Sequence, residues 1–186
     1  MKIVLCEINN HLVDSWVSSI LRTNLDNVTV VYDNILSLKV DAIVSPANSF
    51  GFMDGGIDLL YTQFFGIELQ NNLQKIIQEQ FNGELLVGQA VDILTNNEQI
   101  PYCISAPTMR TPQRLFSFEP VYLSTKAAVR CALDLNLESV AIPGMGTGTG
   151  GLNLQKAAET MILAIKDALN PPKFPKSLSE VKPINY

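Results

Sequence analysis

Two glycine-bearing loops hold the residue types in this sequence that are best suited to bind a ligand. Each follows a short apolar run and precedes a segment with helical spacing: one covers residues 45–58 (SPANSFGFMDGGID), the other residues 143–151 (PGMGTGTGG). Glycine permits positive φ and lets a ligand approach the main chain closely, and successive N–H groups near a helix start bind anions. Two such loops on one sheet would suit a ligand with a phosphate group and a polar remainder.

The composition is that of one globular domain without a strongly basic surface. The chain has 186 residues, of which 47% are hydrophobic and 17% charged, and its formal net charge is −5. This length fits a single domain with a substantial core. The acidic balance argues against broad, sequence-independent nucleic-acid binding. The acidic charge is compatible with a small phosphate ligand, because backbone amides bind phosphate without a cation.

The cysteines and the first residues indicate a reducing compartment. Residues 1–7 (MKIVLCE) lack the apolar segment of a signal peptide, and no stretch is long and apolar enough to span a bilayer. The three cysteines are widely spaced and form no C-x-x-C pair, which is typical of reduced thiols. We therefore expect a cytoplasmic protein with no metal and no cofactor.

Apolar runs alternate with segments of helical periodicity along the chain. We predict strands at 2–8, 28–32, 41–45, 88–94, 101–106 and 139–142, and helices at 11–24, 57–81, 121–136 and 153–169. The second helix should break near Gly66, and Asn153 should cap the last one. We predict one domain over residues 1–169 and a proline-rich tail over residues 170–186.

This alternation indicates an α/β protein with a three-layer α/β/α fold and a mixed, largely parallel sheet. In such sheets, ligands bind at the carboxyl ends of the strands. Since each glycine loop follows a predicted strand, both loops should lie at that edge.

The two loops together resemble those of the macro domain family. Residues 40–48 (VDAIVSPAN) followed by 55–58 (GGID) are similar to the first ligand loop of that family, and residues 143–150 (PGMGTGTG) are similar to its phosphate loop. The resemblance extends over roughly residues 28–169. Macro domains bind ADP-ribose and related metabolites, and some hydrolyse ADP-ribosyl groups from proteins or process ADP-ribose derivatives.

The resemblance implies roles for individual residues. Asn48 would hold the vicinal hydroxyls of a ribose, because its amide both donates and accepts; a turn residue is the alternative. Asp58 stands where hydrolytic members carry an aspartate, and would orient or deprotonate a water; a first-turn aspartate that stabilises its helix is the alternative. The other residues expected to bind the ligand are Asp33, Asn34, Gly55, Gly56, Ile57, Gly144, Gly146, Thr147, Gly148, Thr149 and Gly150.

Three features depart from the family pattern. Asp33-Asn34 stands where Gly-Asp is frequent, so that either the Asn34 carbonyl or the Asp33 carboxylate would accept from the adenine amino group. Ser45-Pro46 replaces the usual Asn-Ala pair, which removes one amide. No strand is predicted after residues 153–169, so the aromatic residue that often stacks on adenine is not placed. Phe174 is a candidate for it, with packing as its alternative role.

Three charged residues near the loops are further candidates. Asp54 replaces one glycine of the longer glycine run of many relatives, and would narrow the loop or add charge near the sugar. Arg110 and Arg114 follow a predicted strand at the same sheet edge. Either arginine could reach a phosphate; a solvated basic loop is the alternative.

Two function classes follow from these observations. The first is an enzyme that hydrolyses an ADP-ribosyl linkage or processes an ADP-ribose metabolite. The second is a non-catalytic module that binds ADP-ribose, free or attached to a protein. A domain for another nucleotide is disfavoured, because the sequence has no G-x-x-x-x-G-K-[ST] motif. Neither class requires a membrane or broad nucleic-acid binding.

Overall fold

The computed structural model describes residues 1–171, 173–181 and 183–184. In this part of the chain, strands and α-helices alternate: β1 (Lys2–Glu7), α1 (Asn10–Ile20), β2 (Val28–Tyr32), β3 (Ala42–Ser45), α2 (Gly56–Phe65), α3 (Glu68–Gln80), β4 (Val91–Leu94), β5 (Tyr102–Ser105), α4 (Glu119–Asp134), β6 (Ser139–Ile142) and α5 (Leu154–Leu169). Two short 3-10 helices cover Ile35–Ser37 and Leu178–Glu180.

The strands form one six-stranded sheet in the order β2-β1-β6-β3-β5-β4. All neighbouring strands are parallel except β4, which runs antiparallel to β5. One hydrophobic core packs the sheet against α1, α4 and α5, and a second packs its other face against α2 and α3. The predicted three-layer α/β/α fold with a mixed, largely parallel sheet is confirmed.

The central pair of strands, β3 and β6, sends its chain to opposite faces of the sheet. The helix after β3, α2, lies in one outer layer, and the helix after β6, α5, lies in the other. Such a switch point opens a crevice at the carboxyl ends of the two strands. At the opposite end, Asp41 Oδ2 accepts from the backbone N–H groups of Glu138 and Ser139, both at 2.8 Å, and ties the two strands together.

Most predicted elements are present, with shorter bounds in several cases. The predicted break is confirmed, since Gly66 adopts φ 91° between α2 and α3. The predicted cap is also confirmed: Asn153 Oδ1 accepts from the N–H of Lys156 at 3.0 Å. By contrast, α1 ends at Ile20 rather than at residue 24, and β4 begins at Val91 rather than at residue 88.

After α5 the described residues contain one short 3-10 helix and no strand. Phe174 is 94% exposed, so the alternative that it packs against the protein is wrong. The division into a domain over residues 1–169 and a tail stays a prediction. None of the described helices has both the length and the apolar character required to cross a bilayer.

The cap of α5 gives a stability prediction. Replacing Asn153 by Ala removes the bond to Lys156, and should lower the free energy of unfolding by about 1 kcal/mol. Asn170→Ala, at the other end of the same helix, is the matched control and should change it by less than about 0.5 kcal/mol. Urea denaturation of both variants measures the difference, and equal effects would contradict the role of the cap.

Candidate functional site

A cleft of about 570 Å³ opens at the carboxyl ends of β3 and β6. The two glycine loops form much of its wall, together with the ends of β1 and β2 and the loop after β5. The structure brings every residue predicted for the site into the lining of this cleft: Asp33, Asn34, Asn48, Gly55, Gly56, Ile57, Asp58, Gly144, Gly146, Thr147, Gly148, Thr149 and Gly150.

Two runs of backbone N–H groups line the cleft without an acceptor in the described part of the chain. The first amide run is residues 54–58, which lead into α2, and the second amide run is residues 146–150, in the loop after β6. Gly55 occupies the N-cap of α2 and supplies no side-chain cap. Several of these residues are exposed to the cleft, among them Gly55, Gly56 and Gly148, so their N–H groups are free to reach a ligand. The first run lies at a helix start, which attracts anions, and successive N–H groups in a loop such as the second also bind them.

The conformation of the second amide run depends on glycine at some positions more than at others. Gly146 adopts φ +71°, and a Cβ on Gly150 would lie 2.5 Å from the carbonyl oxygen of Gly146. A Cβ on Gly148, in contrast, would meet no atom within 4 Å. Gly148 is therefore the position in this loop where a side chain can be added without disturbing the fold.

The Asn48 amide is bonded largely within its own loop. Its Nδ2 donates to the carbonyl oxygen of Phe52 at 2.8 Å, and its Oδ1 accepts from the N–H groups of Phe50 and Phe52 at 3.2 and 3.3 Å. The side chain therefore shapes the first glycine loop. Nδ2 carries a second proton, which is the atom of this amide best able to reach a ligand in the cleft.

Asp58 lies in the first turn of α2, with only 8% of its surface exposed. The Ser45 hydroxyl, at the end of β3, donates to Asp58 Oδ1 at 2.6 Å. Burial raises the pKa of Asp58 from 3.8 to about 7, and the bond from Ser45 opposes that rise. A carboxyl with this pKa is ionised in part of the molecules at neutral pH, and can exchange a proton there.

Asp33 and Asn34 lie side by side after β2, but their side chains differ in what they already bind. Asn34 Oδ1 caps the 3-10 helix that follows it by accepting from the N–H of Leu36 at 3.0 Å. Asp33 Oδ1 accepts from the N–H of Asn34 at 2.7 Å. The second oxygen of the exposed Asp33 carboxylate is thus a stronger hydrogen-bond acceptor for a ligand than the side-chain oxygen of Asn34, which is already bonded to Leu36.

The loop after β5 supports both glycine loops, which the sequence did not reveal. The Thr108 hydroxyl donates to the carbonyl oxygen of Pro46 at 2.9 Å. The N–H of Leu115 donates to the carbonyl oxygen of Gly150, also at 2.9 Å. Glu7, at the end of β1, accepts from the N–H of Gly144 at 3.4 Å and also lines the cleft. Neither Thr108 nor Glu7 stands in a motif that would have marked it.

The two candidate arginines lie outside the lining of the cleft. Arg110 forms a two-point ion pair with Glu84, at 2.8 and 3.2 Å, and its guanidinium lies 5.0 Å from the centre of the Phe50 ring. It therefore braces the outside of the first glycine loop. Arg114 lies near Gly151, beyond the second amide run.

Comparison with known proteins decides the family. The family model described as Macro domain matches residues 44–161, which include both glycine loops and most of the central sheet. The chain belongs to the macro domain family. An uncharacterized protein of Aquifex aeolicus is 35% identical to it over 156 residues, which are 83% of this chain and 87% of that protein.

A relative of known name is more distant. The DNA ADP-ribosyl glycohydrolase of Mycobacterium tuberculosis is 25% identical over 143 residues, which are 75% of this macro domain but only 39% of that protein. Among solved structures, the macrodomain of Mycobacterium tuberculosis DarG has a TM-score of 0.63 at 23% identity and covers 74% of this chain and 88% of its own. A mutant of the Oceanobacillus iheyensis macrodomain, solved with ADPR, has a TM-score of 0.63 at 19% identity and covers 71% of this chain and 73% of its own.

The lining of the macro domain cleft carries carboxylates but no cation. Among the described residues that form it are Glu7, Asp33, Asp54 and Asp58, and none is Lys, Arg or His. Within the described lining, the donors available to an anionic ligand are therefore uncharged ones, namely backbone N–H groups and hydroxyls.

The buried carboxyl of Asp58 predicts a pH dependence of stability. Its pKa is about 7 in the folded protein against 3.8 for a free side chain, so the folded state binds this proton more tightly than the unfolded state. The free energy of unfolding should fall by up to a few kcal/mol as the pH rises from about 4 to about 7. Asp58→Asn lacks this titration.

The measurement is urea denaturation of the wild type and Asp58→Asn at pH 4.5 and pH 8. The variant should gain stability relative to the wild type at the higher pH. A difference between the two proteins that is the same at both pH values would show that folding does not raise the pKa of Asp58.

Proposed function

We propose that this macro domain binds ADP-ribose or a derivative and hydrolyses an ADP-ribosyl linkage. The observation that carries the binding is the pair of amide runs that line one cleft and have no acceptor among the described residues. A diphosphate offers several negatively charged oxygens, and backbone N–H groups at a helix start and in a glycine loop are a recurrent site for such groups. The ADPR bound to the Oceanobacillus iheyensis relative supports this choice of ligand.

The remaining polar groups suit the two ends of such a ligand. At one end, the Asp33 carboxylate would accept from the adenine amino group, with the Asn34 carbonyl as a second acceptor. At the other, the distal ribose would lie beside Asn48, whose second Nδ2 proton would contact a ribose hydroxyl. Gly55 and Gly56, which have open space beside their Cα atoms, would let the sugar pass close to the main chain.

The hydrolysis would depend on Asp58. Asp58 is among the residues that line the cleft, and its pKa of about 7 suits a general base at neutral pH. In the proposed step, Asp58 takes a proton from a water molecule whose oxygen attacks the anomeric carbon of the distal ribose. The bond from that carbon to the leaving group breaks, and the leaving group takes up a proton from solvent. The residues of this step need no metal.

The second candidate function is a module that binds ADP-ribose without chemistry. It is favoured by the bonds that Asn48 makes within its own loop, which leave this residue fewer groups for a substrate. The name of the Mycobacterium tuberculosis relative, an ADP-ribosyl glycohydrolase, favours the enzyme instead. The two functions differ only in turnover, which one assay measures.

The role of the second amide run is tested at Gly148. Gly148→Glu would place a carboxylate against the diphosphate, and should weaken ADP-ribose binding at least about tenfold, or about 1.4 kcal/mol. Gly148→Gln has the same shape without the charge and is the matched control. Since an added Cβ meets no atom there, both variants should fold.

Titration calorimetry with ADP-ribose gives the affinities of the two variants and the wild type. The glutamine variant should lie much nearer the wild type than the glutamate variant does. Unchanged affinity in Gly148→Glu would show that the phosphates lie elsewhere.

The catalytic role of Asp58 is tested by Asp58→Ala. A positioned base contributes about two to four orders of magnitude in rate, so turnover should fall by that factor, while ADP-ribose binding persists because both amide runs are intact. The assay is release of ADP-ribose from a mono-ADP-ribosylated protein and from an acylated ADP-ribose, alongside calorimetry. Asn48→Ala should weaken both binding and turnover.

The outcomes separate the two functions. If the wild type binds ADP-ribose but turns over neither substrate, the binding module is the correct function. If Asp58→Ala is as active as the wild type, Asp58 only stabilises the start of α2 and the chemistry lies elsewhere.

A further inference from the structure

The Asp58 carboxyl has one hydrogen-bond donor in the described part of the protein, and it is a side chain of the central sheet. Ser45 is the last residue of β3 and is fully buried, and its hydroxyl lies 2.6 Å from Asp58 Oδ1. A short bond to a group that carries charge is stronger than one between neutral partners, and more so where water is excluded. The pairing of Ser45 with Ser105 on β5 fixes the backbone from which this hydroxyl projects.

We propose that Ser45 is the positioning residue of Asp58: its hydroxyl holds Oδ1 and so leaves Oδ2 as the oxygen that acts in the cleft. Without that bond the carboxyl group could rotate about its Cβ–Cγ bond, and the reactive oxygen would have no fixed place. The role of Oδ2 as the acting oxygen rests on the proposed function. The effect of Ser45 on the orientation and pKa of the Asp58 carboxyl is independent of that function, because it is a property of the protein without ligand.

The other titratable groups around Asp58 are neutral or directed elsewhere. Tyr61, one turn further along α2, donates its hydroxyl to the carbonyl oxygen of Val44 at 3.1 Å, and burial raises its pKa. On β5, burial raises the pKa of the Cys103 thiol, and on β1 it raises that of Cys6 to about 11. The negative charge of Glu7 acts on Cys6 and Tyr61.

The helix that packs on α2 adds no charge near Asp58. The side chains that α3 buries in the core are Leu69, Leu73 and Ile77. Burial and the Ser45 bond are the causes of the altered pKa of Asp58, and only the bond favours the charged form. Removing the hydroxyl should therefore raise this pKa further.

The chain offers a matched control on the neighbouring strand. Ser105 on β5 is paired in register with Ser45, and both residues are fully buried. In the described part of the protein, the Ser105 hydroxyl has no hydrogen-bond partner. Ser45→Ala and Ser105→Ala thus delete the same buried group from the same layer of the sheet, but only the first loses a bond to Asp58.

The first test follows the Asp58 carboxyl itself by carbon-13 NMR over a pH series, in the full chain without ligand. Ser45→Ala should raise the pKa of Asp58 by about one unit, the equivalent of one hydrogen bond to a charged group. Ser105→Ala should leave the titration as in the wild type. Ser45→Thr keeps the hydroxyl and suits a strand, so it should also titrate as the wild type does.

The second test is the pH profile of ADP-ribose release. A rise of one unit from about 7 lowers the ionised fraction of Asp58 at pH 7 about fivefold. For Ser45→Ala, kcat should fall by more than that factor at pH 7 and should recover near pH 9 only the part lost to protonation, because the ionised carboxyl still lacks its fixed orientation, while KM changes little. A variant that is merely misfolded would not recover its activity in alkali.

The outcomes distinguish this inference from the proposed function. If the wild type releases no ADP-ribose, the proposed hydrolysis fails, but the NMR titration still decides the role of Ser45. If Ser45→Ala and Ser105→Ala titrate alike, Ser45 does not control Asp58 and the inference is overturned.

Discussion

The pairing of β3 with β6 determines where the two halves of the site meet. The paired residues are Ala42 with Val140 and Ile43 with Ala141, and beyond them the strands lead to opposite faces of the sheet. Asp41 fixes the start of this pair with its bonds to the beginning of β6. Because the ladder is short and held at one end, the loops at the other end can part and leave a cleft between them.

The same geometry leaves two kinds of polar group at the cleft: backbone amides without a hydrogen-bond acceptor in the described protein, and a buried carboxyl. The amides of residues 54–58 and 146–150 have no acceptor among the described residues, and the Asp58 carboxyl is buried with a raised pKa. The buried acid lowers stability when it is ionised, whereas the amides, several of which are exposed, are open to a ligand. An anion between the loops would satisfy the amides, and the raised pKa lets the carboxyl exchange a proton near neutral pH. Binding and chemistry would thus draw on different parts of one cleft.

Local patterns in the sequence were enough for the fold, and together with the resemblance to macro domains they identified much of the cleft lining, although not Glu7 or Thr108. The buried parallel strands are continuous apolar runs, such as Ala42–Ser45 and Ser139–Ile142, and Gly66 and Asn153 mark a break and a helix start by their own chemistry. Since parallel strands place their carboxyl ends at one edge, residues far apart in the chain could be assigned to one site.

The side-chain partners could not be predicted in this way, because they depend on distances between elements. Nothing local indicates that Arg110 pairs with Glu84, or that the loop containing Thr108 supports the first glycine loop. The choice between Asp33 and Asn34 likewise depends on a cap that forms only when residues 35–37 turn into a 3-10 helix. The packing expected of Phe174 was wrong for the same reason: an aromatic residue packs only where another element covers it, and no element of the described chain covers this one.

Ser45-Pro46, which departs from the Asn-Ala pair usual in the family, makes different contacts at the site in place of those that it lacks. From the sequence, this pair is expected only to remove one amide. In the structure, the Ser45 hydroxyl reaches Asp58, and the Pro46 carbonyl accepts from Thr108. A serine is short enough to stay fully buried beneath α2, and its single donor selects one carboxyl oxygen. The residue that appears to weaken the loop is therefore also the one that gives the buried carboxyl a defined orientation.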